Sequence, residues 1–115
     1  MHELSIAHSL VEIAGEAACQ ANAKQVEAVT LRLGALSGVV KDALLFSYDI
    51  AIENTLLAGS RLYIEELPVV VYCPDCDTQT TLDGVQRFRC DQCGQPTAQI
   101  IQGKEMEIVS LEYTE

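Results

Sequence analysis

Cys73-Pro74-Asp75-Cys76 and Cys90-Asp91-Gln92-Cys93, two C-x2-C pairs with thirteen residues between them, decide how the chain is read. A C-x2-C turn aims two thiolates at one point and leaves backbone amides to bond the sulfurs. Two such turns complete the tetrahedron that zinc takes at Zn–S distances of about 2.3 Å. The separation is slightly shorter than the roughly 15 to 20 residues usual between such pairs, but it accommodates a small hairpin. All four thiolates on one ion leave no open position for a substrate, so Cys73, Cys76, Cys90 and Cys93 predict a structural zinc site. Two disulfides would suit an oxidising compartment, and the chain opens at Met1 with no basic, apolar, small-residue leader. Iron–sulfur sequences place at least three cysteines in one compact run, unlike these separated pairs.

Outward from the knuckles, Val69–Tyr72 is an apolar run leading into Cys73. Residues 78–82 and 86–89 are predicted to pair around Asp83-Gly84, a hairpin signal. Pro68 removes a backbone donor and marks one edge of the zinc lobe; Gln102-Gly103-Lys104 marks the other. The expected division is a zinc ribbon over 68–103, inserted in an α/β lobe of 1–67 plus 104–115. In that larger lobe Leu4, Ala7, Leu10, Val11, Ala14, Ala17 and Ala18 recur at helical spacing, predicting an amphipathic helix from Leu4 to about Asn22. Cys19 in this stretch is expected to be a packed core thiol. Val29, Leu31 and Leu33 alternate as a strand ended by Gly34. Ala43, Leu44, Phe46, Ser47, Ile50 and Ala51 predict a second helix to about Glu53, and Leu62 and Ile64 a second strand. In the closing strand, 105–113, the alternation changes phase between Ile108 and Val109, which fits a bulge or two buried faces. The class is α+β: two helices on a small mixed sheet, with the zinc ribbon inserted.

A formal charge of −10, from 17 Asp and Glu against 7 Lys and Arg, argues against nucleic acid, because affinity for phosphates comes from basic neutralisation. No apolar run approaches the roughly 20 residues that span a bilayer, so no membrane partner is expected. The reading is a protein of a reducing compartment, the cytoplasm.

Met1-His2-Glu3 is a second metal candidate. Initiator methionine is removed before small residues, and histidine is large, so Met1 is expected to remain. The free amine, the deprotonated His2 amide and the His2 imidazole then form fused chelate rings, which Glu3 completes through its amide nitrogen or its carboxylate. A nitrogen-rich, nearly planar set suits Ni(II) or Cu(II) better than Zn(II). The bland alternative is a solvated terminus. His8, one turn on, is a weaker candidate, since a lone helical histidine is more often structural or solvated.

Met1-His2-Glu3-Leu4-Ser5 followed by a helix, Gly34-Ala35-Leu36-Ser37-Gly38 after the first strand, and the paired C-x2-C knuckles together resemble the HypA family of hydrogenase nickel-insertion chaperones. The resemblance covers essentially the whole chain. It implies nickel at Met1, His2 and Glu3 and structural zinc at the four cysteines. It also implies delivery to a [NiFe]-hydrogenase large-subunit precursor with the GTPase HypB as partner, and no enzymatic activity; a homodimer is left open. Val40-Lys41, at the start of the second helix, departs from relatives that often carry acidic or proline residues there. The rival readings are a zinc-ribbon adaptor that transports no metal and a small catalytic metal site built from His2, Glu3 and His8.

Overall fold

A computed structural model describes residues 3–82 and 88–115. The elements run α1 (Glu3–Gln20), β1 (Gln25–Gly34), α2 (Lys41–Ala51), β2 (Arg61–Leu67), β3 (Val70–Cys73), β4 (Thr78–Thr81), β5 (Ile100–Gln102) and β6 (Met106–Thr114). Two three-stranded sheets form, ordered β2-β1-β6 and β4-β3-β5.

α1 begins with Glu3, an acid where the helix dipole favours one. It is closed beyond Gln20 by Asn22, whose φ of 59° is left-handed. Ala23 N–H then bonds the Ala18 carbonyl at 2.9 Å and Asn22 N–H the Cys19 carbonyl at 3.1 Å, the paired bonds of a Schellman cap. The inward face is Ala7, Leu10, Val11, Ala14 and Ala18. Cys19 is exposed, which corrects the expectation of a core thiol: it follows Ala18 by one residue, and 100° of rotation carries its side chain off the buried stripe. Leu4 and Ala17 are exposed as well. α2 buries Leu44, Ser47, Tyr48 and Ala51, whereas Phe46 and Ile50 face solvent at 69% and 44% exposure.

The mixed character of the first sheet follows from its bonds. Val26 N–H reaches the Leu56 carbonyl and Ala35 N–H the Leu67 carbonyl, so the two segments advance together and β1 runs parallel to β2. A parallel pair needs a crossover, and α2 supplies it. Lys24 N–H reaches Thr114 and Gly34 N–H reaches Glu105, so β6 runs antiparallel to β1. In β1 burial passes from the even positions Val26 and Ala28 to the odd positions Val29, Leu31 and Leu33, so the inward face changes parity within the strand. In β6 the half-buried positions are Ile108 and Leu111, three residues apart. The phase change read in that strand is thus present in its burial.

Two compact units emerge. The first is Met1–Leu31, Val39–Glu65 and Glu107–Glu115; the second is Arg32–Gly38 and Glu66–Met106. Inside the first unit, α1 packs on α2, and the Tyr48 hydroxyl shares a buried 2.7 Å hydrogen bond with Ser60 Oγ. Inside the second, residues 34–36 run beside two other passes of the chain: Ala35 N–H donates to Leu67 and Leu36 N–H to Gly103. A Cβ on Gly34 would overlap the Gly103 carbonyl, so only glycine allows this approach. Among the described residues no helix is long and apolar enough to cross a membrane.

Candidate metal centre

The first knuckle is the turn of a hairpin. β3 and β4 pair antiparallel with Val71 opposite Thr80 and Cys73 opposite Thr78, so residues 74–77 are the connection. Asp77 takes the left-handed conformation that closes it, at φ 52°, and its Oδ1 accepts the Tyr72 hydroxyl at 2.6 Å. β5 adds to the other side of β3, and Tyr72 N–H donates to Gln99. On one edge β4 pairs with β3, because the metal-binding turn itself reverses the chain; the hairpin expected around Asp83-Gly84 turns on residues outside those described. Residues 83–87 lie outside the described residues.

The second knuckle repeats the device with an isolated bridge between Arg89 and Pro96. Cys90 N–H bonds Gln95 and Gly94 N–H bonds Cys90, with Gly94 at φ 72°. Two side chains tie this turn to the first hairpin. Thr80 Oγ1 donates to Asp91 Oδ1 at 3.1 Å and accepts Asp91 N–H at 3.2 Å. Thr97 Oγ1 donates to the Tyr72 carbonyl at 2.6 Å. Thr80 is buried. The alternation of β4 carries a weak signal for an inward threonine there, but its partner eleven residues away carries none.

The four Sγ atoms converge, all within 4.8 Å of one another, and Cys73 Sγ lies 3.7 Å from Cys93 Sγ. A tetrahedron with Zn–S near 2.3 Å requires sulfurs about 3.8 Å apart, so the donor set fits this ion. Cys73 and Cys90 are buried, Cys76 is half-buried and Cys93 exposed. The backbone N–H groups of Cys93 and Gln92 bring the Cys90 thiol down to about 6, and Gln92 N–H points at Cys90 Sγ at 3.4 Å. Hydrogen bonding to Cys93 foremost, then burial, pushes Cys76 up to about 12. The divergence is what close thiols do when one proton position is favoured; a cation among them favours the thiolate at every position.

Met1 and His2 lie outside the described residues. Glu3 is described: it opens α1, and its Oε2 accepts the backbone N–H of Val40 at 3.2 Å. His8 is exposed on α1. Among the described residues, no group of three or more potential donors besides the four cysteines converges.

Two helices on a mixed sheet together with a tetrathiolate ribbon define a small metal-handling protein with a closed structural site. A family model described as "Hydrogenase/urease nickel incorporation, metallochaperone, hypA" matches residues 1–113, and the chain belongs to that family. It is 58% identical over 113 residues to a hydrogenase maturation factor HypA of Roseiflexus sp. (strain RS-1), covering 98% of this chain and 92% of the relative. It is 56% identical over 112 residues to its counterpart in Chloroflexus aurantiacus, covering 97% and 98%. Among solved structures, the Ni metallochaperone HypA from Helicobacter pylori superposes with a TM-score of 0.70 at 28% identity, covering 99% of this chain and 98% of that one. The family is one of metallochaperones, not of enzymes.

Proposed function

We propose that the chain is a nickel metallochaperone of hydrogenase maturation. It takes up Ni(II) at Met1, His2 and Glu3 and passes it to a [NiFe]-hydrogenase large-subunit precursor in the cytoplasm, with the GTPase HypB as partner. The nickel-handling lobe is residues 1–67 with 104–115, and the zinc lobe 68–103. The observation that carries the reading is the family match from the first residue to residue 113, which includes both the terminal Met-His-Glu and the cysteine pairs.

Cys73, Cys76, Cys90 and Cys93 hold zinc; a closed thiolate shell supplies folding free energy and no reactive position. The remaining steps belong to the chain's own groups. The terminal amine and the His2 imidazole must each release a proton to become donors, so cargo binding is favoured above their ordinary values, about 7.7 to 8.0 and 6.5. A cargo site must also let go. Amine, amide and imidazole come from Met1 and His2, and the remaining place, taken by Glu3, is the one for which an incoming donor competes to begin ligand exchange.

The test is transfer. Nickel-loaded chain with an untagged terminus should surrender its metal to a competing acceptor and hold it less well as pH falls from about 8 to 6. His2→Ala should carry no nickel while retaining zinc. A nickel isotherm flat across that pH window sinks the amine-and-imidazole site.

A further inference from the structure

α2 begins without a cap from its own sequence. Its N-cap is Val40, extended at φ −85° and ψ 116°, and no side-chain cap bond is made. Helix starts are usually served by Ser, Thr, Asp or Asn. In a capping box, a Glu three residues into the helix reaches back to accept the N-cap N–H. Here that position is Ala43, which carries no acceptor. The acceptor arrives instead from thirty-seven residues upstream, as Glu3 Oε2 on the Val40 N–H at 3.2 Å. A carboxylate there also faces the positive end of the helix. Glu3 is at the same time the first residue of α1, and α1 packs on α2 within one unit.

We infer that Glu3 is a positioning residue: its carboxylate fastens the start of α1 to the N-cap amide of α2 and so fixes the root from which the Met1 amine and the His2 imidazole reach nickel. The inference rests on the terminal nickel site proposed above. Its physical content is preorganisation. Donors on a chain held at its root lose less freedom when they close on a metal than donors on a frayed helix end. This bond does from another helix what an acid at position 43 would do locally.

The experiment compares the zinc-loaded, native-terminus chain with Glu3→Gln, Glu3→Ala and the double variant Glu3→Ala/Val40→Ser. It reads amide hydrogen exchange at position 40 without nickel, and then nickel affinity. Glu3→Gln keeps an acceptor oxygen, and keeps the backbone amide through which Glu3 meets nickel when its carboxylate is held by Val40, so it should retain slow exchange at position 40 and nickel binding. Glu3→Ala should speed exchange at position 40 and weaken nickel binding about tenfold, the scale of a lost cap. Adding Val40→Ser gives α2 a local cap and should protect its first turn again without restoring nickel affinity. Unchanged exchange at position 40 in Glu3→Ala would overturn the tether. Full recovery of nickel binding in the double variant would reduce Glu3 to helix stability alone. Loss of nickel in Glu3→Gln, with exchange intact, would make the carboxylate a direct donor and overturn the positioning role. A native chain that takes up no nickel would defeat the nickel reading, while the exchange data still decide whether the tether exists.

Discussion

The two units reach stability by different routes. The first buries Ala7, Leu10, Val11, Ala14 and Ala18 of α1, Val26, Ala28, Val29 and Leu31 of β1, Leu44 and Tyr48 of α2, and Ile52, Leu57 and Leu62 beyond them. In the second, the described buried apolar side chains are Leu33, Val69 and Val71, joined by the metal cysteines Cys73 and Cys90. A unit with so little apolar surface to remove from water needs another source of folding free energy, and for small lobes that source is a disulfide or a metal. In the proposed reading, one part of the chain is folded by packing and carries the cargo ion, and the other is folded by an ion that stays.

The largest effect expected from this contrast is the response to metal removal. Structural zinc contributes about 10–16 kcal/mol of apparent binding free energy, all of it available only to the folded site. Stripping zinc with a strong chelator, or Cys73→Ala, should collapse the amide spectrum of residues 69–103 and leave the α1 and α2 signals in place. The converse is Leu44→Ala, which removes a fully buried side chain. It should cost about 2–5 kcal/mol in denaturant unfolding and leave zinc content unchanged. If chelation unfolds both units together, the contrast is wrong.

A smaller effect sharpens the picture inside the zinc unit. Thr80→Val deletes the hydroxyl that both donates to and accepts from Asp91, leaving the Asp91 N–H unpaired. The expected cost is about 1–3 kcal/mol, read as faster zinc loss to a colorimetric chelator, with no change in the stability of the first unit.

The smallest effect is at alkaline pH in the first unit. Burial, partly offset by the Ser60 hydrogen bond, raises the Tyr48 hydroxyl above its ordinary value near 10. A raised folded value means that its contribution is fully present below about pH 10 and is lost as pH rises through the folded value. Denaturation of the native chain above pH 10 should show a loss of stability that Tyr48→Phe lacks. Equal pH slopes in the two proteins would remove Tyr48 from the account.

What could be read in the sequence follows the range of the interactions involved. The knuckles are local: thiols three residues apart declare a turn, and two such turns declare a shared centre, which the structure assembles with all four sulfurs within 4.8 Å of one another. α1 is also local, and its alanine-rich stripe places its buried face. α2 is shorter, and its apolar residues fix the helix but not its inward face: Tyr48 is buried and Phe46 is not, and the Tyr48 hydroxyl meets Ser60, a partner on the far side of a loop that periodicity does not see. Cys19 was misread because free cysteine tends to be buried, a tendency overridden by its angle on the helix. The pairing of β4 with β3 is not written in the alternation of either strand; it is drawn by the turn between the cysteines. The Thr80–Asp91 bonds and the Glu3–Val40 bond join positions eleven and thirty-seven residues apart, and one sequence holds no trace of either.

The central claim is that the cargo ion is held from the free terminus while the structural ion is held by the knuckles. The most direct measurement is nickel titration and metal analysis of the zinc-loaded chain, with its terminal amine free and with that amine acetylated. The account predicts about one nickel bound to the free-amine form, none to the acetylated form, and the same zinc content in both. Equal nickel binding by the two forms would show that the amine is not a donor and would contradict the proposed route of uptake and delivery.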